Sequence, residues 1–339
     1  MNAAVPEDVV GTYQGLLSVT PEPAANEPTK LGRFTVKVSS TGRFSGVLEY
    51  RGLRHRMTGA FSAELTSELT IERPEQSALT VKLQLLPDTD ALSVEVEEAF
   101  GGATSTGSDV KHSFDGRANR CDDAGRYTMR FASLEEGTSF SGYASATVSD
   151  KGVLKFAGRL SDGTPVKGSG FVNADGSVSL QDTLYRPVFP DAGQLIGAIQ
   201  VDREAPALAV TGNLEWQVPN ALSETAFLTV MGSTYVRPVA RQRVIDSPTG
   251  SLIFNSSEPV NFSNPVLLTT ANRFQVAEPN EKKLKITIAL GSGVVTGKFF
   301  DSQVNRVRVL RGIVLQTQRT FHGFFLTEVA GGTWEMKEF

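Results

Sequence analysis

The chain has 339 residues, enough for two or three domains that each bury a core. Its apolar fraction of 40% and charged fraction of 21% are those of a folded soluble protein and exclude a disordered one. The net charge of -4 argues against nucleic-acid binding, which needs a basic surface, and no apolar run approaches the roughly 18 residues of a transmembrane segment. We therefore expect no nucleic-acid partner and no transmembrane segment.

The first predicted elements form a hairpin pattern. Alternating apolar residues occupy 34–38, a turn follows at Gly42, and a second alternating strand passes through Gly46 before a return strand. A period of two indicates strands with one buried face. Similar patterns occur over 144–170 and 284–312, so we predict repeated antiparallel meanders.

Each copy has a glycine inside its second strand: Gly46, Gly158 and Gly297. Because interior glycine costs about 0.5–1 kcal/mol relative to alanine, we interpret these glycines as bends or bulges that curve the sheet. Asp-Gly turns at 162–163 and 175–176 are typical of hairpins. The expected fold is all-β, with repeated meanders forming β-barrel or sandwich domains and little helix.

The segment 101–125 is polar, rich in glycine and poorly periodic, as a linker should be. We therefore predict an N-terminal β-barrel-like domain over 1–120 and a larger β domain over 121–339. A subdivision of the larger domain near residue 219 stays open, because a proline follows a predicted strand there.

Several of these motifs resemble a repeat in large, uncharacterised β-rich surface or secreted proteins of environmental bacteria. The motifs are Gly11-Thr12-Tyr13, Gly42-Arg43-Phe44-Ser45-Gly46, 158–163 and 312–316. The resemblance covers most of the chain and implies export and a β fold, but no catalytic residues. The first two motifs are also similar to the opening hairpin of avidin-type barrels. Avidins line their biotin pocket with several tryptophans, whereas this chain has two, which argues against biotin binding.

Residues for catalysis or metal binding are few. Cys121 is the only cysteine, so neither an intrachain disulfide nor a cysteine zinc site can form, and we interpret it as an inert loop thiol. The chain has three histidines, none spaced as metal ligands: His55, His112 and His322. We predict no catalytic residue, no metal site and no cofactor, with calcium in aspartate-rich loops at 88–90 and 122–123 as a weak alternative.

Candidate ligand-binding residues are Arg54, Arg56 and Trp216. The two arginines share one face of a predicted strand and could meet an anionic glycan or an acidic protein surface. Basic residues on outer strand faces also keep strand edges from pairing. A tryptophan ring could stack on a sugar. Carboxylate pairs at 97–98 and 135–136 leave a glycoside hydrolase open.

These patterns favour a non-catalytic binding or structural module of a bacterial surface or secreted assembly over an enzyme. The alternatives are an extracellular carbohydrate-active enzyme that uses a carboxylate pair, and a barrel that encloses a small ligand. The expected partner is another protein or further copies of the chain, with a glycan as a further candidate. We expect an extracellular or cell-surface location after removal of a signal peptide, and a cytoplasmic location is also compatible.

Overall fold

The computed structural model confirms the all-β fold, with three eight-stranded antiparallel sheets that each curl into a nearly closed barrel. It describes residues 5–24, 27–99, 104–134, 141–188, 191–205, 208–218, 225–256, 260–327 and 331–338. The helices in these ranges are two single 3-10 turns, Glu7–Val9 and Pro87–Thr89. In the same ranges, no helix has the length and apolar character needed to cross a membrane.

Each barrel takes eight consecutive strands. Barrel 1 contains β1 (Gly11–Thr20), β2 (Lys30–Val38), β3 (Arg43–Tyr50), β4 (Leu53–Ala60), β5 (Thr66–Ile71), β6 (Leu79–Leu86), β7 (Ala91–Glu98) and β8 (Thr104–Val110). Barrel 2 contains β9 (Gly125–Ser133), β10 (Ser141–Val148), β11 (Val153–Leu160), β12 (Pro165–Phe171), β13 (Ser177–Val188), β14 (Asp191–Val201), β15 (Val210–Gln217) and β16 (Thr225–Thr234). Barrel 3 contains β17 (Thr249–Asn255), β18 (Phe262–Leu268), β19 (Phe274–Val276), β20 (Lys285–Ala289), β21 (Val294–Asp301), β22 (Arg306–Leu315), β23 (Thr320–Leu326) and β24 (Gly331–Glu338).

All three barrels have up-and-down topology, because neighbouring strands pair in chain order and the first strand pairs with the last. The pairing is interrupted once in each barrel, at a place that we call the seam. The seams lie between β4 and β5 in barrel 1, between β12 and β13 in barrel 2, and between β19 and β20 in barrel 3. A seam leaves two strand edges without a ladder partner.

The barrel interiors are filled by the apolar faces that the alternation predicted. In β6, Leu79, Val81 and Leu83 are buried while the residues between them are only partly buried. Large side chains such as Phe34 and Tyr50 complete the core of barrel 1. The cores of barrels 2 and 3 are built in the same way, with Tyr127 and Trp334 among their largest members.

One hairpin turn occurs at the same place in every barrel, between its second and third strands. The turns are 39–43, 149–153 and 269–273, and in each the first amide donates to the last carbonyl. The fourth turn residue has positive φ and is Gly42, Gly152 or Asn272. The predicted third copy over 284–312 is instead the β20–β21 hairpin and its return strand, which occupy a different position in the barrel.

Of the two interpretations of the interior glycines, the bulge is wrong, and the bend stays a prediction. Strand pairing continues without a shift through Gly46, Gly158 and Gly297. A Cβ atom at these positions would lie 2.4, 1.8 and 2.4 Å from a carbonyl oxygen of the adjacent strand. The glycines therefore allow close backbone approach between strands.

The barrels are connected by segments 111–124 and 235–248. Strand β8 lies inside the stretch predicted as a linker, and it closes barrel 1 by pairing with β1 and β7. The predicted boundary at residue 120 lies in the first connecting segment. Residue 219 is outside the described residues, between two paired strands of barrel 2. The division into folding units at 120 and near 219 stays a prediction.

Candidate functional site: the open edge of barrel 1

Barrel 1 covers the seam of barrel 2 with a buried arginine. The Arg33 guanidinium on β2 donates from Nη1 to the carbonyl oxygens of Ser169 on β12 and Ser179 on β13, at 2.6 and 3.3 Å. Its Nε and Nη2 atoms donate to Glu49 Oε2 at 3.0 and 2.7 Å, which fixes the guanidinium plane. Arg33 thus satisfies backbone groups on both sides of the seam.

Two further side chains complete this cover. Gln14 Oε1 on β1 accepts a hydrogen bond from Phe171 N at 3.0 Å, and Asp182 Oδ2 accepts one from Lys167 N at 2.7 Å. Alternate residues of an antiparallel strand direct their N–H and C=O groups to the same side. One seam-side backbone group at each of Lys167, Ser169 and Phe171 on β12 therefore binds a side chain.

The corresponding edge of barrel 1 lacks such a cover. The equivalent hairpins place Arg56, Thr58 and Ala60 of β4 at the seam-facing positions. Among the described residues, only β3 forms hydrogen bonds with the β4 backbone. On the facing strand β5, no residue is fully buried. The β4 edge therefore has no second ladder partner within the described residues, and an edge of this kind can pair with an added strand.

A groove of about 310 Å³ lies on the outer face of barrel 1 beside this edge. It is lined by Thr35, Lys37, Ser45, Gly46, Val47, Arg56, Met57 and Thr58. Lys37 and Arg56 are exposed, and the lining contains hydroxyl groups but no carboxylate. The groove therefore attracts anionic groups and offers hydroxyls to bind them.

The structure places two of the three predicted binding residues at this site. Arg54 and Arg56 lie on the exposed outer face of β4. Arg54 is in register with Glu49, whose carboxylate binds Arg33, and Arg56 lines the groove. Sequence reasoning missed Lys37, although its alternation with buried neighbours on a predicted strand was an available signal.

Trp216 lies elsewhere, in the interior of barrel 2. Its side chain is 2% exposed, and Nε1 donates to the Tyr185 hydroxyl at 3.0 Å. That hydroxyl donates to Asp162 Oδ2 at 2.7 Å. An indole buried in this way presents no face to solvent on which a sugar could stack. The structure therefore does not bring Trp216 together with Arg54 and Arg56.

Groups with catalytic potential do not converge in the described residues. The three histidines lie far apart in the fold, on β4, in the 111–124 segment and on β23. Burial, followed by the charge of Arg73, lowers the pKa of His55, so this imidazole is neutral at neutral pH. Burial raises the pKa of the Cys121 thiol, which disfavours the reactive thiolate. No three His, Cys, Asp or Glu side chains in the described ranges could hold a metal ion, and calcium binding stays a prediction.

The carboxylates at 97–98 are engaged in ion pairs. Glu97 Oε1 accepts from Lys82 Nζ at 2.8 Å, and Glu98 Oε1 accepts from Arg51 Nε at 2.8 Å. Adjacent strand residues point to opposite faces of a sheet, so the two groups cannot flank one substrate. The pair at 135–136 lies outside the described residues.

A second groove, of about 370 Å³, lies between barrels 2 and 3. Arg126 and Lys155 line it with Ser292 of barrel 3, and Arg126 Nη1 donates to Gly291 O at 2.5 Å. This groove is also basic, but the sheet beneath it consists of the paired strands β9, β10 and β11. Only the barrel 1 groove combines basic side chains with an uncovered strand edge among the described grooves.

No protein-family model and no curated protein matches the chain. A protein of unknown function from the DUF3598 family, from Nostoc punctiforme PCC 73102, is similar at 10% identity and a TM-score of 0.24, over 68% of this chain and 97% of that chain. Intact Ap-TbpB, with N and C lobes, is similar at 9% identity and a TM-score of 0.23, over 100% of this chain and 77% of that chain. Transferrin binding protein B from serogroup B Neisseria meningitidis is similar at 9% identity and a TM-score of 0.23, over 97% of this chain and 75% of that chain. Similarity this low carries no argument about function.

Proposed function

We propose that the protein is a non-catalytic binding module of a bacterial surface or secreted assembly, and that barrel 1 binds an extended acidic segment of a partner protein. The segment adds as a strand along the β4 edge. Its acidic side chains then meet Arg54, Arg56 and Lys37. The bacterial and extracellular setting rests on the resemblance noted in the sequence.

One observation carries the proposal: of two equivalent strand edges in the described part of the chain, that of β12 is bound by side chains of another barrel and that of β4 is not. The β12 edge in barrel 2 is sealed by Arg33 and Gln14, whereas the described chain leaves the β4 edge open. Exposed edges are an aggregation hazard that proteins normally block. An edge left open beside a basic groove supports controlled pairing with an acidic partner.

The two alternative functions find less support. Glycoside hydrolysis needs two carboxyl groups that face each other across a substrate, and Glu97 and Glu98 are held in separate ion pairs. A carrier barrel needs a hollow interior, whereas large side chains such as Tyr13 and Phe34 are fully buried inside barrel 1.

Fluorescence anisotropy with a labelled synthetic peptide tests the proposal. The probe alternates glutamate with threonine and valine, and a second copy of it carries N-methyl groups on every other amide. We expect the first peptide to bind and the methylated peptide to fail, because methylation removes the donors that a strand needs. Arg56→Glu replaces a positive charge with a negative one and should weaken binding of the unmethylated peptide about tenfold.

Arg43→Glu is the matched control, because Arg43 is exposed on the same barrel but does not line the groove. It should change the affinity less than about twofold. Equal binding of both peptides would exclude strand addition. Binding of a sulfated glycan in preference to both peptides would show that the groove recognises an anionic sugar instead.

A further inference from the structure

The outward stripe of β22 on barrel 3 is apolar except for one arginine, and it carries no acidic side chain. The outward residues of β22 are Val307 and Val309, which are 58% and 53% exposed, then the part-buried Arg311, and then Ile313 and Leu315, which are fully buried. Ile313 and Leu315 pack with Tyr143 of barrel 2. The stripe therefore continues an established interface onto a surface that nothing in the described chain covers.

Lysines lie along one side of the uncovered half of the stripe. Lys298 is in register with Val309, and Lys285 is in register with Lys298. Neither lysine forms an ion pair within the described residues. Like charges directly opposite each other destabilise a sheet, so this pair has a cost that folding alone does not explain.

The residues beside this pair also combine apolar side chains with a lysine. Phe300 is in register with Val307, and Lys283 Nζ lies 5.5 Å from the centroid of its ring. Leu326, 44% exposed, extends the apolar surface on β23. The nearby Asp301 carboxylate points into the barrel and binds Arg308, so it does not neutralise the lysines.

We define the lysine–valine face as Lys283, Lys285, Lys298, Phe300, Val307, Val309 and Leu326. We propose that the lysine–valine face docks onto an anionic membrane surface. The lysines bind lipid headgroups, and the aliphatic side chains enter the headgroup region. The partner is inferred from charge complementarity, since every charged group on the face is basic in a chain of net charge -4.

A bilayer fits this face better than a protein does. Protein interface centres are enriched in aromatic residues and arginine and depleted in lysine, and they need matching shape. The lysine–valine face has the opposite composition, lies on the outside of a barrel and lines none of the described grooves. A fluid anionic surface needs no shape match.

Vesicle co-sedimentation of the full chain tests the proposal. The probes are vesicles of phosphatidylcholine alone and of equal parts phosphatidylcholine and phosphatidylglycerol. We expect binding to the anionic vesicles only, with loss of affinity at raised salt. The double variant Lys285→Glu/Lys298→Glu should bind at least about tenfold more weakly. Val307→Ser/Val309→Ser should reduce binding about threefold to tenfold.

Arg43→Glu and Val110→Ser are matched controls on barrel 1, since both residues are exposed there. They should leave vesicle binding unchanged. All four variants change exposed residues, and circular dichroism verifies that each is folded. Equal binding of wild type and the double lysine variant would overturn the proposal. The proposal would also be overturned if the wild type did not bind vesicles and instead formed concentration-dependent dimers that Val307→Ser/Val309→Ser abolishes. That result would assign the face to a second copy of the chain.

Discussion

The junction between barrels 1 and 2 and the junction between barrels 2 and 3 differ in the chemistry at their centres. The first is polar: Glu215 of barrel 2 is 3% exposed and accepts hydrogen bonds from Thr29 N and Lys30 N at 3.0 and 3.2 Å. Lys30 Nζ donates to the same carboxylate at 3.3 Å. The second has an apolar centre, where Tyr143 of barrel 2 packs against Phe324 of barrel 3 at a ring separation of 6.0 Å. Hydrogen bonds such as the one from Arg126 Nη1 to Gly291 O lie around this centre.

Both junctions use the same part of the preceding barrel. Barrel 1 presents β1 and β2 to barrel 2, and barrel 2 presents its first two strands, β9 and β10, to barrel 3. The receiving strands differ, since β13 and β14 receive barrel 1 while β22 and β23 receive barrel 2. Equivalent outer faces can thus carry either directional hydrogen bonds or buried apolar area.

The largest expected effect is at the apolar junction. Phe324→Ala should lower the free energy of unfolding by about 3–5 kcal/mol, because it removes a fully buried ring and leaves a cavity. Denaturant unfolding followed by circular dichroism measures the change. Val307→Ala, exposed on the same sheet, is the control and should change stability by less than about 0.5 kcal/mol. Equal effects of the two variants would show that the junction contributes no stability.

A smaller effect is expected at the polar junction. Glu215→Ala should lower the free energy of unfolding by about 2–3 kcal/mol, because the part-buried amides of Thr29 and Lys30 lose a charged acceptor. Lys30 is 29% exposed, so its own charge can turn to water and adds little. Glu215→Gln keeps the volume and one acceptor and should recover part of the loss. Full recovery would show that the charge is unimportant.

A third effect separates the two junctions by pH. Burial, opposed by the Asn173 hydrogen bond, raises the pKa of Asp109 at the polar junction to about 6 from 3.8. Its contribution to stability is present below about pH 4 and is lost as the pH rises through 6. Burial, followed by the charge of Arg130, lowers the pKa of His322 at the apolar junction to about 4 from 6.5. Its contribution is present above about pH 6.5 and is lost as the pH falls through 4.

Melting temperatures across this pH range check both signs. The stabilisation by Asp109→Asn relative to wild type should grow as the pH rises from about 4 to 6, and that by His322→Gln should grow as the pH falls from about 6.5 to 4. A change in the same direction at both ends of the range would contradict the assignment of one titrating group to each junction.

Much of the fold was predictable from local pattern. Alternation in 79–85 identified a strand and its buried face, because a period of two needs no tertiary information. Strand β8 was missed, because Thr104 to Val110 is polar and becomes a strand only by pairing between β1 and β7. The third turn was missed because Asn272 takes the positive φ that glycine takes in the other two barrels.

Some residues of the candidate site could be predicted from the sequence, and others could not. Arg54 and Arg56 could be assigned to one strand face from their spacing alone. Lys37 lies on a different strand, and only the register of β2, β3 and β4 brings it to the groove. Trp216 was predicted as a binding residue because a sequence does not reveal which aromatic side chains are buried. In the structure its ring packs in the core of barrel 2.

The sequence by itself determined that the chain is all-β and that its strands are joined by tight turns, since both follow from side-chain alternation and from residues that accept positive φ. The number of barrels, the position of each seam and the covering of one seam but not another were decided by tertiary structure. These features depend on contacts between residues far apart in the chain, such as Arg33 with Ser169 and Ser179. No local pattern encodes which strand edge a distant side chain will reach.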